Sequence, residues 1–140
     1  MLIRHCQQRH VKRIQEVAAL VGPDAARLAA LGYIELQVDG AAAALLLICG
    51  IWLEGRGPAF LWAPLAVSAF ALVGLVFATA ITVRRMNRAA SQHVSESLGH
   101  QVTVVPSQFV LRRSSWESAI ERAKRTYDRQ IAAKPQRWHL

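Results

Sequence analysis

Cysteine is scarce in this 140-residue chain, and Cys6 and Cys49 lie far apart without a CxxC pair. A disulfide framework is therefore not expected. Acidic residues are also few, nine against 17 lysines and arginines. No Ser/His/Asp, Cys/His or paired acid–base arrangement can be assembled, and Cys6 with His10 supplies only two metal ligands. We therefore expect no enzymatic activity, no cofactor, no metal site and no small-molecule substrate.

Charged residues are missing from one long stretch of the chain. The apolar residues are concentrated between Ala41 and Val83, and the segment from Ala59 to Val83 carries no charge. A helix of this segment would be ~37 Å long at ~1.5 Å per residue, enough to cross a ~30 Å hydrocarbon core. A buried soluble helix of this kind would need a large surrounding domain, which 140 residues do not supply.

A first membrane span, before the turn at residues 54–58, is predicted because a clear second span follows that turn. The apolar run from Ala41 to Leu53 is too short to cross a bilayer by itself. Residues 54–58 (EGRGP) form a compact, breaker-rich turn, which makes the two spans antiparallel neighbours and extends the first to about residues 31–53. Aromatic residues mark the expected interfaces, as in membrane aromatic belts: Trp52, Phe60 and Trp62 beside the turn, and Tyr33 at the other end.

The predicted fold is an all-α membrane protein. A transmembrane hairpin at residues 31–83 (spans 31–53 and 59–83) separates an amphipathic segment at 1–30 from a basic tail at 84–140. Arginine and lysine flank the open end of the hairpin and Arg56 alone lies in the turn, which predicts that both termini are cytoplasmic. The first 20 residues are polar and do not resemble a secretory signal. The arginine- and alanine-rich composition suggests a bacterial source, and hence the bacterial inner membrane.

Two carboxylates fall inside the first span. Glu35 and Asp39 are four residues apart and share a helix face with small residues. An ionisable group at this depth is a functional candidate, such as a step in a proton or cation path. Alternatively, a tilted helix lets both carboxylates reach the cytoplasmic interface, or they pair with an arginine of a partner subunit or of the flanking segments.

Small residues suggest where helices approach closely. Gly74, Ala78 and Thr82 recur every four residues on the second span, and Gly50 lies on the carboxylate face of the first. Such rows allow close backbone contact between membrane helices. We favour contact within the hairpin, with contact between copies as the alternative.

The flanking segments carry amphipathic helices. Helical spacing predicts one helix from about His5 to Leu20, ended by Gly22-Pro23. This helix either lies on anionic lipid, covers a partner protein or docks on the protein's own tail. The second span is expected to continue as a helix to about Leu98, with Gly99 as its stop.

Two short β-favouring runs, Gln101 to Val105 and Gln108 to Leu111, follow and are split by Pro106. Because proline cannot donate to a central ladder, they predict an extended edge that could exchange a strand with a partner.

The last helix is predicted at about residues 115–133. Ser114 and Glu117 have the spacing of a capping box. An apolar stripe follows at helical spacing, and because little other soluble core is evident, we expect it to dock on a partner or second copy. Its residues are Trp116, Ile120, Ala123, Tyr127 and Ile131.

These features favour a small non-enzymatic membrane subunit that anchors or scaffolds a larger complex and docks partners through its cytoplasmic helices. The alternative is a self-associating pore former, similar in topology to holins and toxic membrane effectors. Expected partners are anionic lipids of the cytoplasmic leaflet and other membrane subunits or the protein itself. We do not expect nucleic acid binding, because the positive-inside tendency and anionic lipid explain the basic tail.

Overall fold

The computed structural model describes residues 2–56, 58–106 and 111–134, with side chains from Gln7 onward. Its elements are α1 (Leu2–Val21), α2 (Pro23–Arg56), a 3-10 turn (Ala59–Leu61), α3 (Trp62–Leu98) and α4 (Arg113–Ala133). None of the described residues lies in a β-strand, so the prediction of an all-helical chain is confirmed. Of the two β-favouring runs, the first is not a strand, and residues 108–110 of the second lie outside the described part.

The junction between α1 and α2 is a single glycine. Gly22 has φ +91°, a conformation that L side chains rarely adopt, and its N–H donates to the carbonyl of Ala18 at 3.0 Å. Pro23 then opens α2, at the position where its missing N–H is harmless. The predicted helix end at Gly22-Pro23 is confirmed. The predicted first span, residues 31–53, lies within α2, which is one continuous helix of 34 residues that begins earlier, at Pro23.

α2 and α3 pack against each other as antiparallel neighbours through the short connection after Arg56. α3 runs for 37 residues to Leu98, and Gly99 closes it in the left-handed conformation with φ 73°, as the sequence predicts. Both α2 and α3 are long and apolar enough to cross a membrane. Of the most apolar 18-residue stretch of each helix, only 11% is buried in α2 and 6% in α3. Their apolar surfaces therefore face outward.

A compact core forms at the end of the hairpin away from the turn. It joins α1, the start of α2, the end of α3, the segment that follows Gly99, and α4. The largest fully buried side chains are those of Trp116, Met86, Val17, Val21 and Val104. Because α1 and α4 share this core, both flanking segments lie at the same end of the hairpin.

The apolar stripe of α4 is part of this core, which corrects the prediction that it docks on a partner. Trp116 and Ala123 are buried, and Ile120 and Tyr127 pack against the core from its edge. Only Ile131, near the end of α4, is exposed. The sequence did not reveal this because much of the covering surface comes from α1, which is distant in the chain.

The start of α4 also differs from the capping box predicted at Ser114. The helix begins at Arg113, and its cap residue Arg112 makes no side-chain capping bond. Ser114 therefore lies inside the first turn. Glu117 instead accepts a hydrogen bond from Arg113 Nε at 2.6 Å, a contact between two exposed side chains that raises the pKa of Arg113. The predicted end of the last helix, at about residue 133, agrees with the end of α4 at Ala133.

Two serines of α3 hold the non-helical segment that follows Gly99. Ser95 Oγ accepts the N–H of Val102 at 3.0 Å and donates to its carbonyl at 3.2 Å. Ser91 Oγ does the same for Val104, at 2.9 and 3.4 Å. Val102 and Val104 are buried while Thr103 is exposed, which is the alternation of an extended chain. Side-chain hydroxyls thus satisfy backbone groups that a neighbouring strand would otherwise pair.

Candidate functional site: a carboxyl–threonine contact between α2 and α3

The two carboxylates singled out in the sequence lie at the contact between α2 and α3. Asp39 is buried, with 7% of its surface exposed, and Glu35 is partly buried one turn earlier on the same face. Neighbouring residues on α2, such as Leu36 and Val38, are exposed. The carboxyl groups therefore point toward α3, and their apolar neighbours point outward.

Each carboxyl group meets a threonine of α3. Thr79 Oγ1 lies 2.7 Å from Asp39 Oδ2, and Thr82 Oγ1 lies 3.3 Å from Glu35 Oε1. Thr79 and Thr82 are themselves buried, each with 8% of its surface exposed. The contact is thus a double polar link between two helices whose other facing residues are mostly apolar. The sequence suggested three hypotheses for the two carboxylates, and none of them includes a threonine of the second helix as the partner.

Each threonine hydroxyl also contacts a carbonyl of its own helix. Thr79 Oγ1 lies 3.1 Å from the carbonyl oxygen of Leu75, and Thr82 Oγ1 lies 3.2 Å from that of Ala78. The sequence predicts these contacts, because threonine commonly bonds the carbonyl four residues earlier in a helix. For the contacts between the threonines and the carboxyl groups, the sequence offers only an indication from residue spacing. Asp39 and Thr79 stand nearly the same number of residues before and after Pro58, so an antiparallel hairpin places them opposite each other.

The carboxyl groups have no cationic partner among the described residues, where the one ion pair is the exposed contact of Arg113 with Glu117. The second oxygen of Glu35, Oε2, is buried and has no hydrogen-bond partner within the same part of the chain. Burial of an ionised carboxylate without a counter-charge or donors is strongly unfavourable. At least one carboxyl oxygen of this site is therefore buried without a donor among the described residues.

Of the small residues predicted for helix packing on α3, the structure places only Thr82 at the contact with α2. Thr82 lies in the contact between α2 and α3, but Gly74 and Ala78 are exposed. A Cβ built at Gly74 or at Gly50 would meet no atom within 4 Å. The hairpin therefore does not use Gly74 or Gly50 for close backbone approach, contrary to the reading that we favoured. Contact of Gly74 and Ala78 with another copy stays a prediction.

Two grooves accompany these helices. An apolar groove of about 570 Å³ lies between α2 and α3 toward the turn, where Cys49, Trp52 and Leu72 are among its lining residues. A more polar groove of about 790 Å³ runs along the end of α3 and includes Arg88 and His100. The imidazole of His100 stacks on the ring of Tyr127, with 3.6 Å between ring centroids. No group of three metal-ligating side chains occurs within the described ranges, and the side chain of Cys6 lies outside them.

Comparison with known proteins gave no assignment. No protein-family model matches the chain, and no match was found among curated proteins or among solved structures.

Proposed function

We propose that this protein is a small, non-enzymatic subunit of a larger membrane complex, anchored in the bacterial inner membrane by α2 and α3. The two helices cross the bilayer as a hairpin, and the core built from α1 and α4 lies on the cytoplasmic side. In this position the protein holds partner subunits close to the membrane surface.

The outward-facing apolar surface of α2 and α3 carries this proposal. Large apolar side chains there are well exposed, among them Leu47 (66%), Phe70 (79%) and Phe77 (69%). Soluble proteins rarely expose contiguous apolar patches larger than a few hundred Å². Hydrocarbon covers such a surface without a cost, and the internal hydrogen bonds of a helix satisfy its backbone in lipid.

The charge distribution supports a cytoplasmic location for the core. Arg84, Arg85 and Arg88 are exposed on α3 directly after its apolar part, whereas Arg56 is the one basic residue near the turn. Basic residues beside a span favour the cytoplasmic side and attract anionic lipid headgroups.

The charged faces of α1 and α4 are the surfaces left for partners, because the apolar stripe of α4 is covered. Lys12 and Arg13 are exposed on α1, and Lys124, Arg125 and Arg129 are exposed on α4. These faces suit an acidic protein surface or anionic lipid. Surface charge of this kind steers association more than it adds affinity.

Membrane insertion is tested with a charge at the centre of the apolar surface. In Phe70→Lys the lysine falls near the bilayer midplane, where insertion becomes less favourable by about 2.5–3.5 kcal/mol. We expect much less of this variant in membranes that are washed at alkaline pH. The matched control is Val11→Lys, at a half-exposed position of α1, which should stay in the membrane fraction. Equal membrane fractions for the two variants and the unchanged protein would contradict the membrane hairpin.

The role as a subunit is tested by gentle solubilisation of the native membrane and identification of the chains that co-purify. We expect a fixed set of membrane proteins in constant ratio, lost when Lys124, Arg125 and Arg129 are changed together to glutamine. A pure, monodisperse monomer with no co-purifying chain would argue against a scaffold.

A second candidate function is a pore formed by self-association. It is favoured by the exposed positions of Gly74 and Ala78, which leave a small-residue surface free for another copy. This alternative predicts that the purified protein alone forms oligomers and releases dye from liposomes. Gly74→Leu should abolish both effects, while Gly55→Leu, beside the turn, should leave them unchanged.

A further inference from the structure

The extended segment after α3, residues 101–105, has backbone groups on two sides, and α3 bonds one of them. Two serines of α3 bond both the N–H and the carbonyl of Val102 and of Val104. In an extended chain the N–H and the carbonyl of one residue point to the same side, and those of the next residue point to the opposite side. The remaining backbone groups therefore point away from α3, those of Gln101, Thr103 and Val105.

This second side of the segment is an open edge. Gln101, Thr103 and Val105 are exposed. Neither the N–H nor the carbonyl of Thr103 has a hydrogen-bond partner in the described part of the chain. The carbonyl of Val105 lies 3.5 Å from Nη2 of Arg122, so this side faces α4. Unpaired backbone donors and acceptors in a row are what an edge strand offers to another chain.

A groove of about 230 Å³ lies between this edge and α4. The segment and α4 run in opposite directions along it, because His100 stacks on Tyr127 at one end and the Val105 carbonyl lies beside Arg122 at the other. Most of the side chains that α4 contributes are small or polar, such as those of Ala119 and Thr126. An extended backbone therefore meets no bulky aliphatic side chain from α4 in this groove.

The α4 side of the groove is basic. Arg122 lines it, and no acidic side chain of the described residues does. Arg129 is exposed on the same face two helical turns later. The acids Glu121 and Asp128 each precede one of these arginines by one position, which places them about 100° further round the helix, away from the groove. The groove thus combines a backbone edge with positive charge.

We propose that this groove binds an extended, acidic segment of a partner subunit, which pairs with the open edge as an added strand. The backbone of that segment donates to the carbonyl of Thr103 and accepts from its N–H, as in other cases of strand addition. Its carboxylates, on alternate residues, lie near Arg122 and Arg129 and favour this partner over neutral ones. The proposal rests on the role as a subunit and names what the partner supplies.

Two other occupants fit the groove less well. An anionic lipid headgroup would pair with the arginines, but it offers no regular row of donors and acceptors to the backbone edge. A second copy of the chain would form a symmetric contact, in which each copy brings the same Arg122 and Arg129. Like charges placed together in this way oppose association.

The test uses the full chain in nanodiscs of phosphatidylcholine and a short capped peptide that alternates glutamate and valine. We expect the peptide to bind and to slow hydrogen exchange of the Thr103 amide, measured by NMR. The control peptide has the same side chains and N-methyl groups on alternate backbone nitrogens, so that it keeps its charge but cannot pair with the edge. It should not bind. A peptide with lysine in place of glutamate should bind more weakly than the acidic one.

Variants of the chain separate the backbone edge from the charge. Thr103→Pro removes the N–H of the edge and should weaken binding roughly tenfold or more, whereas Thr103→Ala keeps that N–H and should bind as before. The Val102 and Val104 amides should stay protected in both, because their bonds to the serines remain. Arg122→Gln should weaken binding about two- to fivefold. The matched control is Arg27→Gln, at an exposed position of α2 outside the groove, which should have no effect.

Several results would overturn the strand. Equal binding of the N-methylated peptide would do so, and this outcome does not depend on whether any variant folds. Slow exchange of the Thr103 amide before peptide is added would show that the chain itself already covers the edge, or a second copy if the slowing grows with protein concentration. The same slowing by phosphatidylglycerol alone would assign the groove to lipid.

The strand and the role as a subunit fail separately. If the peptide does not bind while a fixed set of membrane proteins still co-purifies, the strand is refuted and the role as a subunit stands. If the peptide binds with the expected pattern but no chain co-purifies, the groove is supported and the role as a subunit is contradicted.

Discussion

Gly22 gives the sharpest test of how the core is assembled, because an added methyl group meets two separate penalties there. Its φ of +91° is unfavourable for any L residue with a side chain. A Cβ at this position would also lie 2.9 Å from Nδ1 and 3.0 Å from Cγ of His93, which belongs to α3. Gly22→Ala should therefore weaken the attachment of α1 to the hairpin.

The magnitude is the sum of the two penalties. The left-handed backbone costs about 1–2 kcal/mol for a non-glycine residue. Moving His93 away from its preferred rotamer adds about 0.5–1.5 kcal/mol. We expect a total loss of about 1.5–3.5 kcal/mol, or a roughly 10- to 300-fold fall in amide exchange protection along α1. The assay is hydrogen–deuterium exchange of the full chain in detergent micelles.

Gly99 supplies a matched control for Gly22. Gly99→Ala suffers the backbone penalty at φ 73° but meets no atom within 4 Å. Its loss should be smaller than that of Gly22→Ala by about 0.5–1.5 kcal/mol, the contribution of His93. Adding His93→Ala should remove most of this difference, as in a double-mutant cycle. If Gly22→Ala costs no more than Gly99→Ala, or if the difference survives without the imidazole, the proposed clash with His93 is refuted.

Three further predictions concern the core and its surface. Trp116→Ala should destabilise the protein by about 3–5 kcal/mol in thermal unfolding, because it removes the largest fully buried side chain. Ile131→Ala, at the exposed end of the same stripe, should stay within about 0.5 kcal/mol, and equal losses would contradict the burial of the stripe in the chain's own core. Ser95→Ala should cost about 1–3 kcal/mol and speed exchange of the Val102 amide, whose bond to Ser95 Oγ is lost, while Ser97→Ala should not change that rate. Glu117→Gln should leave the melting temperature unchanged, because its partner Arg113 is an exposed side chain, and a clear fall would indicate a capping role that the structure lacks.

The residue types alone were sufficient to predict where helices end. Gly22-Pro23 and Gly99 end helices because glycine adopts positive φ freely, a property of the residue itself. The length of the apolar segment from Ala59 to Val83 likewise predicts a long helix without reference to any neighbour. The capping box was a local prediction that failed, because Ser114 lies inside a helix that starts at Arg113.

Contacts between distant segments decided the rest. The stripe of α4 has the same amphipathic pattern whether its cover is a partner or α1, and the pattern alone does not say which. The run from Gln101 to Val105 has the composition of a strand, yet its backbone bonds go to the hydroxyls of Ser91 and Ser95.

The two carboxylates show most clearly what the sequence determined and what the tertiary structure decided. The sequence by itself determined that Glu35 and Asp39 share one helix face inside an apolar region, because helical periodicity fixes that relation. Only the tertiary structure decided that this face meets Thr79 and Thr82, because the register of α2 against α3 depends on packing along the whole hairpin. Hydrogen bonding is short-ranged, so a shift of one helical turn would leave at least one of the two carboxyl groups without a threonine partner.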